Sequence, residues 1–295
     1  SAAAPRKLTP APPKLVYAMP YFVHTLRQAS RSVGKKLSRR ILKLFMIFSP
    51  EEKQTAAERR LRGREQVRKL RQADIVIVSF GKSGRTWLRV MLSRAYQKMH
   101  GLPERALIGF DNFHSMRHEI PRIFFTHDNY IKDYTGHQDS KVDFYDKKVV
   151  SMARDPRDVA VSQFFQWKFR MKPGKKTLNK YPEEGQEKPI YDFVMDQDAG
   201  LPHIIRFMNL WASESGKLRS FFLLRYEDLR SQPHETLGKL LEFMDTPGNE
   251  QQIAGFLSRH PEAQAPRIDA AWGTAREIGR QTVPTDGGMD GVFYA

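Results

Sequence analysis

Ile75-Val76-Ile77-Val78-Ser79-Phe80 runs directly into Gly81-Lys82-Ser83-Gly84-Arg85-Thr86-Trp87 and then into a helical pattern. A short β-branched apolar run, a turn of small residues and a helix start place backbone N–H groups and the positive end of a helix around one anion, and Lys82 adds a full charge. The stretch therefore reads as a phosphate cradle. It is not the nucleoside-triphosphatase version, because GxxxxGK[ST] needs glycine at position 76, where Val76 stands. A plainer reading is a strand-turn-helix with a solvated lysine. The placement of Lys82, Ser83, Gly84 and Thr86 at a strand's carboxyl end, where ligands bind in such sheets, favours the cradle.

Working outward from this stretch, the chain after Asp74 alternates short runs rich in Val, Ile and Phe with helical patterns, the signature of a parallel sheet flanked by helices. Strands are expected at Ile75–Phe80, Arg122–Thr126, Lys148–Ala153 and Phe221–Tyr226, and helices at Thr86–Met99, Asp158–Arg170, Ile190–Asp196, His203–Ser213 and His234–Met244. The charged stretch from Lys172 to Lys188, with Pro173, Gly174 and Pro182, reads as a mobile excursion. The expected fold is α/β, a central parallel sheet with a P-loop-like nucleotide-binding architecture.

A second run, Val149 to Ala153, delivers Arg154 to the same sheet edge, and a helix opened by Asp155-Pro156 carries Ser162 about two turns along. A guanidinium and a hydroxyl together can hold a second phosphate. The competing reading of Arg154 and Asp155 is a surface pair at a helix cap.

Together these segments resemble the sulfotransferase family that uses 3′-phosphoadenosine 5′-phosphosulfate (PAPS). Lys82, Ser83, Gly84, Thr86 and Trp87 match its Pro-Lys-Ser-Gly-Thr-Thr-Trp loop for the 5′-phosphosulfate. Arg154, Pro156, Arg157, Asp158, Val159, Val161 and Ser162 match its stretch for the 3′-phosphate, and Arg225-Tyr226-Glu227-Asp228-Leu229 its Tyr-Glu-Asp segment. The resemblance spans about residues 74–245. It implies PAPS as cofactor, adenosine 3′,5′-bisphosphate (PAP) as product and no metal. It also implies that Trp87 stacks on the adenine, that Tyr226 lies near it, and that His127 of Phe124-Phe125-Thr126-His127 is the base. Gly81 departs from the usual proline. Arg85 replaces the first threonine, exchanging a hydroxyl for a cation that either contacts the sulfate or cofactor or points to solvent, and Phe125 stands where many relatives carry a lysine. The family's late Arg-Lys-Gly element has no register-true match, Arg276, Gly279 and Arg280 being nearest.

Sulfuryl transfer needs an aligned acceptor, a base for its proton and positive charge on the leaving phosphate oxygen. Lys82 supplies the charge, and His127, whose unperturbed pKa lies near neutrality, is favoured as base over His114, His118 and Asp128. Trp167 and Trp211, at apolar helical spacing, read as packing.

The 295 residues are 40% apolar and 28% charged, which suits a folded body with a proper core. Residues 1–73 hold 18 basic and 4 acidic side chains, residues 74–295 31 and 29, so nearly all of the +16 charge sits in the first segment. From Leu26 to Phe48 apolar residues step by three or four with Arg31, Lys35, Arg39 and Lys43 elsewhere on the wheel, a basic amphipathic helix. Ser49-Pro50-Glu51-Glu52 reads as a capping box opening a second, more polar helix to about Gln72, a solvated connector. Two parts are expected: a basic helical N-terminal segment, 1–73, meeting an anionic membrane surface through residues 24–48, and a catalytic domain, 74–295. The apolar stripe favours membrane over nucleic acid. With no apolar h-region after Ser1-Ala-Ala-Ala-Pro5, no secretory leader is expected, and no run approaches the length of a spanning helix. Zero cysteines exclude disulfides, a thiol nucleophile and cysteine-ligated metal, and suit a cytoplasmic protein peripheral on the membrane. The acceptor is open among lipid, glycan and small molecule, tilted toward a lipid-linked or glycan hydroxyl. The alternatives are a P-loop kinase with Asp155 or Asp228 on a metal, and a membrane-surface binding protein with a non-catalytic body.

Overall fold

The computed structural model describes residues 48–246 apart from 105, 184 and 186, together with residues 34 and 46. The membrane-binding face expected over 24–48 and the late candidates Arg276, Gly279 and Arg280 lie outside the described residues, Gly34, Met46 and Phe48 excepted.

Strands β1 (Ile75–Ser79), β2 (Ile123–Thr126), β3 (Lys148–Ala153) and β4 (Ser220–Arg225) form one sheet in the order β2-β1-β3-β4, every neighbouring pair parallel. Strand β1 is buried along its whole length because both of its faces are covered. Ile75 and Ile77 pack with Leu88, Met91 and Leu92 of helix α2 (Arg85–His100) and with Leu237 and Leu240 of the chain's last described helix. Val76 and Val78 point the other way, into a cluster with Val67, Leu70, Phe144 and Trp211. The period-2 alternation of one strand thus builds two cores.

Helix α1 (Glu51–Gln72) runs where its pattern predicts, but Pro50 occupies the N-cap and no side chain caps the end. The proline puts Ser49 one residue too early for a capping box. Nor is α1 a solvated connector: Gly63, Val67 and Leu70 form a narrow buried stripe against the body. Fully burying an aliphatic side chain stabilises by about 1.5–3 kcal/mol, so two such residues dock a helix whose other faces are charged. At Gly63 a Cβ would stand 2.2 Å from the Tyr130 carbonyl oxygen, so the helix approaches that backbone as only glycine permits.

Short helices α3 (Asn112–Met116) and α4 (Ile131–Thr135) flank β2, and β3 feeds α5 (Pro156–Arg170), which starts as expected with Asp155 accepting from the Arg157 N–H at 2.8 Å. The stretch read as an excursion instead packs. It contains helix α6 (Pro173–Leu178), buries Lys176 and Leu178, and receives the Trp167 indole N–H on the Pro182 carbonyl at 2.8 Å. Tyr181 stacks on Phe193 of α7 (Ile190–Val194), ring centroids 6.4 Å apart. Single aromatic and aliphatic anchors hold a segment whose composition is otherwise polar. Helix α8 (Leu201–Glu214) buries Trp211, and β4 leads into α9 (Tyr226–Ser231) and α10 (Pro233–Phe243). Trp167 and Trp211 are both core residues.

Candidate active site

Strand register decides which residues meet. Val78 stands beside Thr126 of β2, Ser79 beside Met152 of β3, and Ala153 beside Arg225 of β4. One step further along each strand come His127, the Gly81 turn, Arg154 and Tyr226, all leaving the sheet at one edge. The chain moves from β1 outward to β2 and then crosses to β3 on the other side, so a topological switch point opens between the carboxyl ends of β1 and β3. A cavity of about 1710 Å³ lies there.

The Gly81-Lys82-Ser83-Gly84 turn uses two left-handed residues, Lys82 with φ 70° and Gly84 with φ 89°. At Gly84 a Cβ would stand 2.5 Å from Tyr226 Cδ2, so both conformation and space demand glycine. Gly84 is the N-cap of α2 and no side chain caps that end, which leaves first-turn N–H groups and the positive helix terminus for an anion. A lysine in the left-handed region costs about 1–2 kcal/mol, and the surroundings hold it there. Arg154 Nη1 donates to the Lys82 carbonyl at 3.4 Å, and Lys82 Nζ donates to Gln166 Oε1 at 3.4 Å. Burial, then the charges of Arg170 and Arg154, push the Lys82 ammonium below its ordinary pKa. Cations crowded together in this way gain from a polyanion between them.

Arg154 is buried, gives Nη2 to Asp158 Oδ2 at 2.8 Å, and lies with Cζ 4.6 Å from the centroid of the Tyr226 ring. The Tyr226 and Trp87 rings meet edge to face at 5.7 Å. Arg85 brings a buried Nη1 that has no hydrogen-bond partner among the described residues, and burial, with Arg89 beside it, lowers its pKa to about 10. An unsatisfied buried guanidinium N–H beside a phosphate loop is what an oxyanion would complete.

His127 Nδ1 lies 2.7 Å from the Ser79 carbonyl oxygen. A carbonyl only accepts, so Nδ1 carries the proton and Nε2 keeps its lone pair. Burial first, then the Arg85 charge, lower the imidazole pKa to about 4, which leaves it neutral near pH 7. Asp128, next along the chain and also on the cavity wall, is tied up: its Oδ2 accepts from Lys141 Nζ at 2.6 Å. His114 and His118 pair ring to ring at 5.1 Å, with His114 Nδ1 on the Ile120 carbonyl at 2.8 Å, and neither lines the cavity.

Of the residues singled out in the sequence, Lys82, Gly84, Arg85, Thr86, Trp87, His127, Arg154, Ser162 and Tyr226 line this cavity. Ser83 does not: its side chain is fully buried, and its Oγ has no partner among the described residues. Gln166 and Arg170 were not singled out, although with Ser162 they recur every four residues on α5, one face of the helix. Arg59, Lys132 and Lys175 reach the cavity from α1, α4 and α6. No local pattern announces them.

The family model described as "Sulfotransferase domain" matches residues 72–259. The chain belongs to the sulfotransferase family. Cytosolic sulfotransferase 3 of Arabidopsis thaliana is 25% identical over 198 residues, covering 65% of this chain and 59% of that protein. Human sulfotransferase 2A1 is 29% identical over 194 residues, covering 59% of this chain and 60% of that one. The chain thus spans about three fifths of the length of the curated relatives it matches. The crystal structure of mouse sulfotransferase SULT7A1 complexed with PAP matches 68% of the chain and 70% of its own, with a TM-score of 0.43 and 18% identity. Among the described residues, no group of three or more His, Cys, Asp or Glu could hold a metal ion, and no helix is long and apolar enough to cross a membrane.

Proposed function

We propose that the chain is a PAPS-dependent sulfotransferase that moves a sulfuryl group to an acceptor hydroxyl or amine. The observation that carries this reading is the convergence, on one sheet edge, of an uncapped helix start, three cations and a histidine whose Nε2 is a free acceptor. The donor set fits the cofactor: Lys82, Arg85 and the first turn of α2 face one anionic group, Arg154 and Ser162 a second, and Trp87 with Tyr226 offers aromatic edges for a base. When bound, PAPS supplies an activated sulfuryl group. Lys82 and Arg85 stabilise charge on the oxygens around the transferred group, and His127 Nε2 takes the acceptor proton while Nδ1 stays on Ser79. Asp155, which a kinase reading would set on a metal, is engaged by the Arg157 side chain at 2.7 Å and caps α5.

The reading extends, still as a proposal, to a lipid-linked or glycan acceptor and to a cytoplasmic protein held peripherally on an anionic membrane by residues 24–48. It is supported by the basic amphipathic spacing and the absence of cysteine in the sequence.

Thermal denaturation with ligands tests the core of this reading. PAP at about a hundred times its dissociation constant should stabilise the protein by about 2.7 kcal/mol, and ATP with magnesium should shift it less. A larger shift with ATP and magnesium overturns it.

A further inference from the structure

We propose that the acceptor carries an anionic group, a carboxylate, sulfate or phosphate, near the hydroxyl or amine that is sulfated, and that Lys132 and Lys175 bind it. The proposal rests on the sulfotransferase reading and specifies its substrate.

Charge in the cavity is segregated beyond what composition requires. Residues 74–295 carry 31 basic and 29 acidic side chains, whereas the cavity takes ten basic and four acidic ones from that span and adds Arg59 from α1. Two of the four carboxylates are already matched, Asp133 by Arg59 at 3.0 Å and Asp128 by Lys141 at 2.6 Å. Lys82, Arg85 and Arg154 belong to the cofactor end, and Arg170 sits close enough to Lys82 to bias its titration. After those assignments the wall still holds a cation excess facing only Asp139 and Asp198.

Position separates Lys132 and Lys175 from the cofactor cations. They rise from α4 and α6, and Asn129 and Asn179, flanking these helices, also line the cavity. The Lys175 charge helps to depress the His127 pKa, and that of Lys132 acts on Asp128 and His203, two other residues of the same cavity lining. Neither makes an ion pair with any described residue. Phe80, Phe207 and Leu210 give the same cavity an apolar floor. A molecule that lays an apolar body on that floor, its nucleophile at His127 Nε2, meets two uncommitted ammonium groups. A neutral apolar acceptor would leave them unused, and a cationic one would be repelled.

The test uses the full chain, loaded with PAP, and two matched pairs of probes titrated by calorimetry: 4-nitrophenyl glucuronide against 4-nitrophenyl glucoside, and 4-hydroxyphenylacetate against 4-hydroxyphenylacetamide. The anionic member of at least one pair should bind about tenfold tighter than its neutral twin, equivalent to about 1.4 kcal/mol, and the gap should narrow as salt rises. In Lys132→Ala/Lys175→Ala the preference should disappear while PAP affinity is kept, and Lys175→Glu should reverse it. Equal or better binding of both neutral twins, no binding of any probe to the PAP-loaded protein, or a preference that survives in the double variant overturns the proposal. PAP is titrated first. If PAP itself fails to bind, the sulfotransferase reading has failed, which separates that result from a failure of the acceptor assignment.

Discussion

At the β3 and β4 side of the cavity, charged and aromatic groups are packed and committed. Arg154 is buried between Asp158 and the Tyr226 ring, reaches the Lys82 carbonyl, and faces a turn with two left-handed residues. At the β2 side Lys132 and Lys175 stand on short helices and make no ion pair among the described residues, and Lys175 is exposed. The first region is built for one rigid ligand of fixed charge, where strain and desolvation are offset once by a constant partner. The second is built for a ligand whose shape the fold does not prescribe. Between them stands His127, held by a single hydrogen bond to Ser79.

The comparison breaks most visibly at His127. His127→Ala should lower turnover by about a hundredfold to ten-thousandfold while PAP affinity, measured by calorimetry, stays within twofold. Near-full activity would place the base elsewhere. On the proposed reading the same residue sets the acid limb of the pH profile. A base works unprotonated, and burial with the Arg85 charge disfavours the imidazolium, so the limb of kcat/KM should lie near pH 4. Arg85→Leu should move it upward, toward the ordinary histidine range, whatever the loss in rate.

Next in size is the buried pair behind the β2 wall. Asp128→Ala leaves the Lys141 ammonium buried without its carboxylate and should destabilise by about 3–5 kcal/mol in urea denaturation. A small loss would mean that Lys141 escapes to solvent and that this wall is as loose as its surface lysines.

The cofactor wall is sharpened by its glycine. Gly84→Ala adds a Cβ against the Tyr226 ring at φ 89° and should cost about 1–3 kcal/mol, with PAP binding weakened in parallel. Unchanged PAP affinity would show that the turn can move aside. The smallest effect has the opposite sign. Lys82→Gly relieves a left-handed lysine and should leave stability unchanged or raised by up to about 1 kcal/mol, while PAP affinity falls. Destabilisation by this change would deny that the loop stores strain for its ligand.

The strand-turn-helix at Ile75 to Trp87 and the helix opened by Asp155-Pro156 were legible because each is local: hydrophobic period, small-residue turn and cap lie within about fifteen residues, whereas the Tyr226 segment was legible only through its resemblance to the family. The docking of α1 was not, since Val67 and Leu70 are few among charged neighbours and their meaning depends on the sheet face they meet. Trp167 and Tyr181 likewise hold the stretch after Arg170 through partners, Pro182 and Phe193, that no periodicity connects to them.

By itself the sequence determined the α/β class, the phosphate loop with its glycine, and the residue types able to hold two anions and a proton, all consequences of short-range backbone geometry and side-chain chemistry. Only the tertiary structure decided which of those groups share a cavity. Parallel register sets Thr126 beside Val78 and Ala153 beside Arg225, bringing His127, Lys82, Arg154 and Tyr226 to one edge. It likewise left Asp128 to Lys141 and His114 to the Ile120 carbonyl, and brought Lys132 and Lys175 from separate helices to the cavity that His127 lines. The physical reason is that strand pairing and helix docking act between segments far apart in the chain, where burial and register rather than local pattern choose the neighbours.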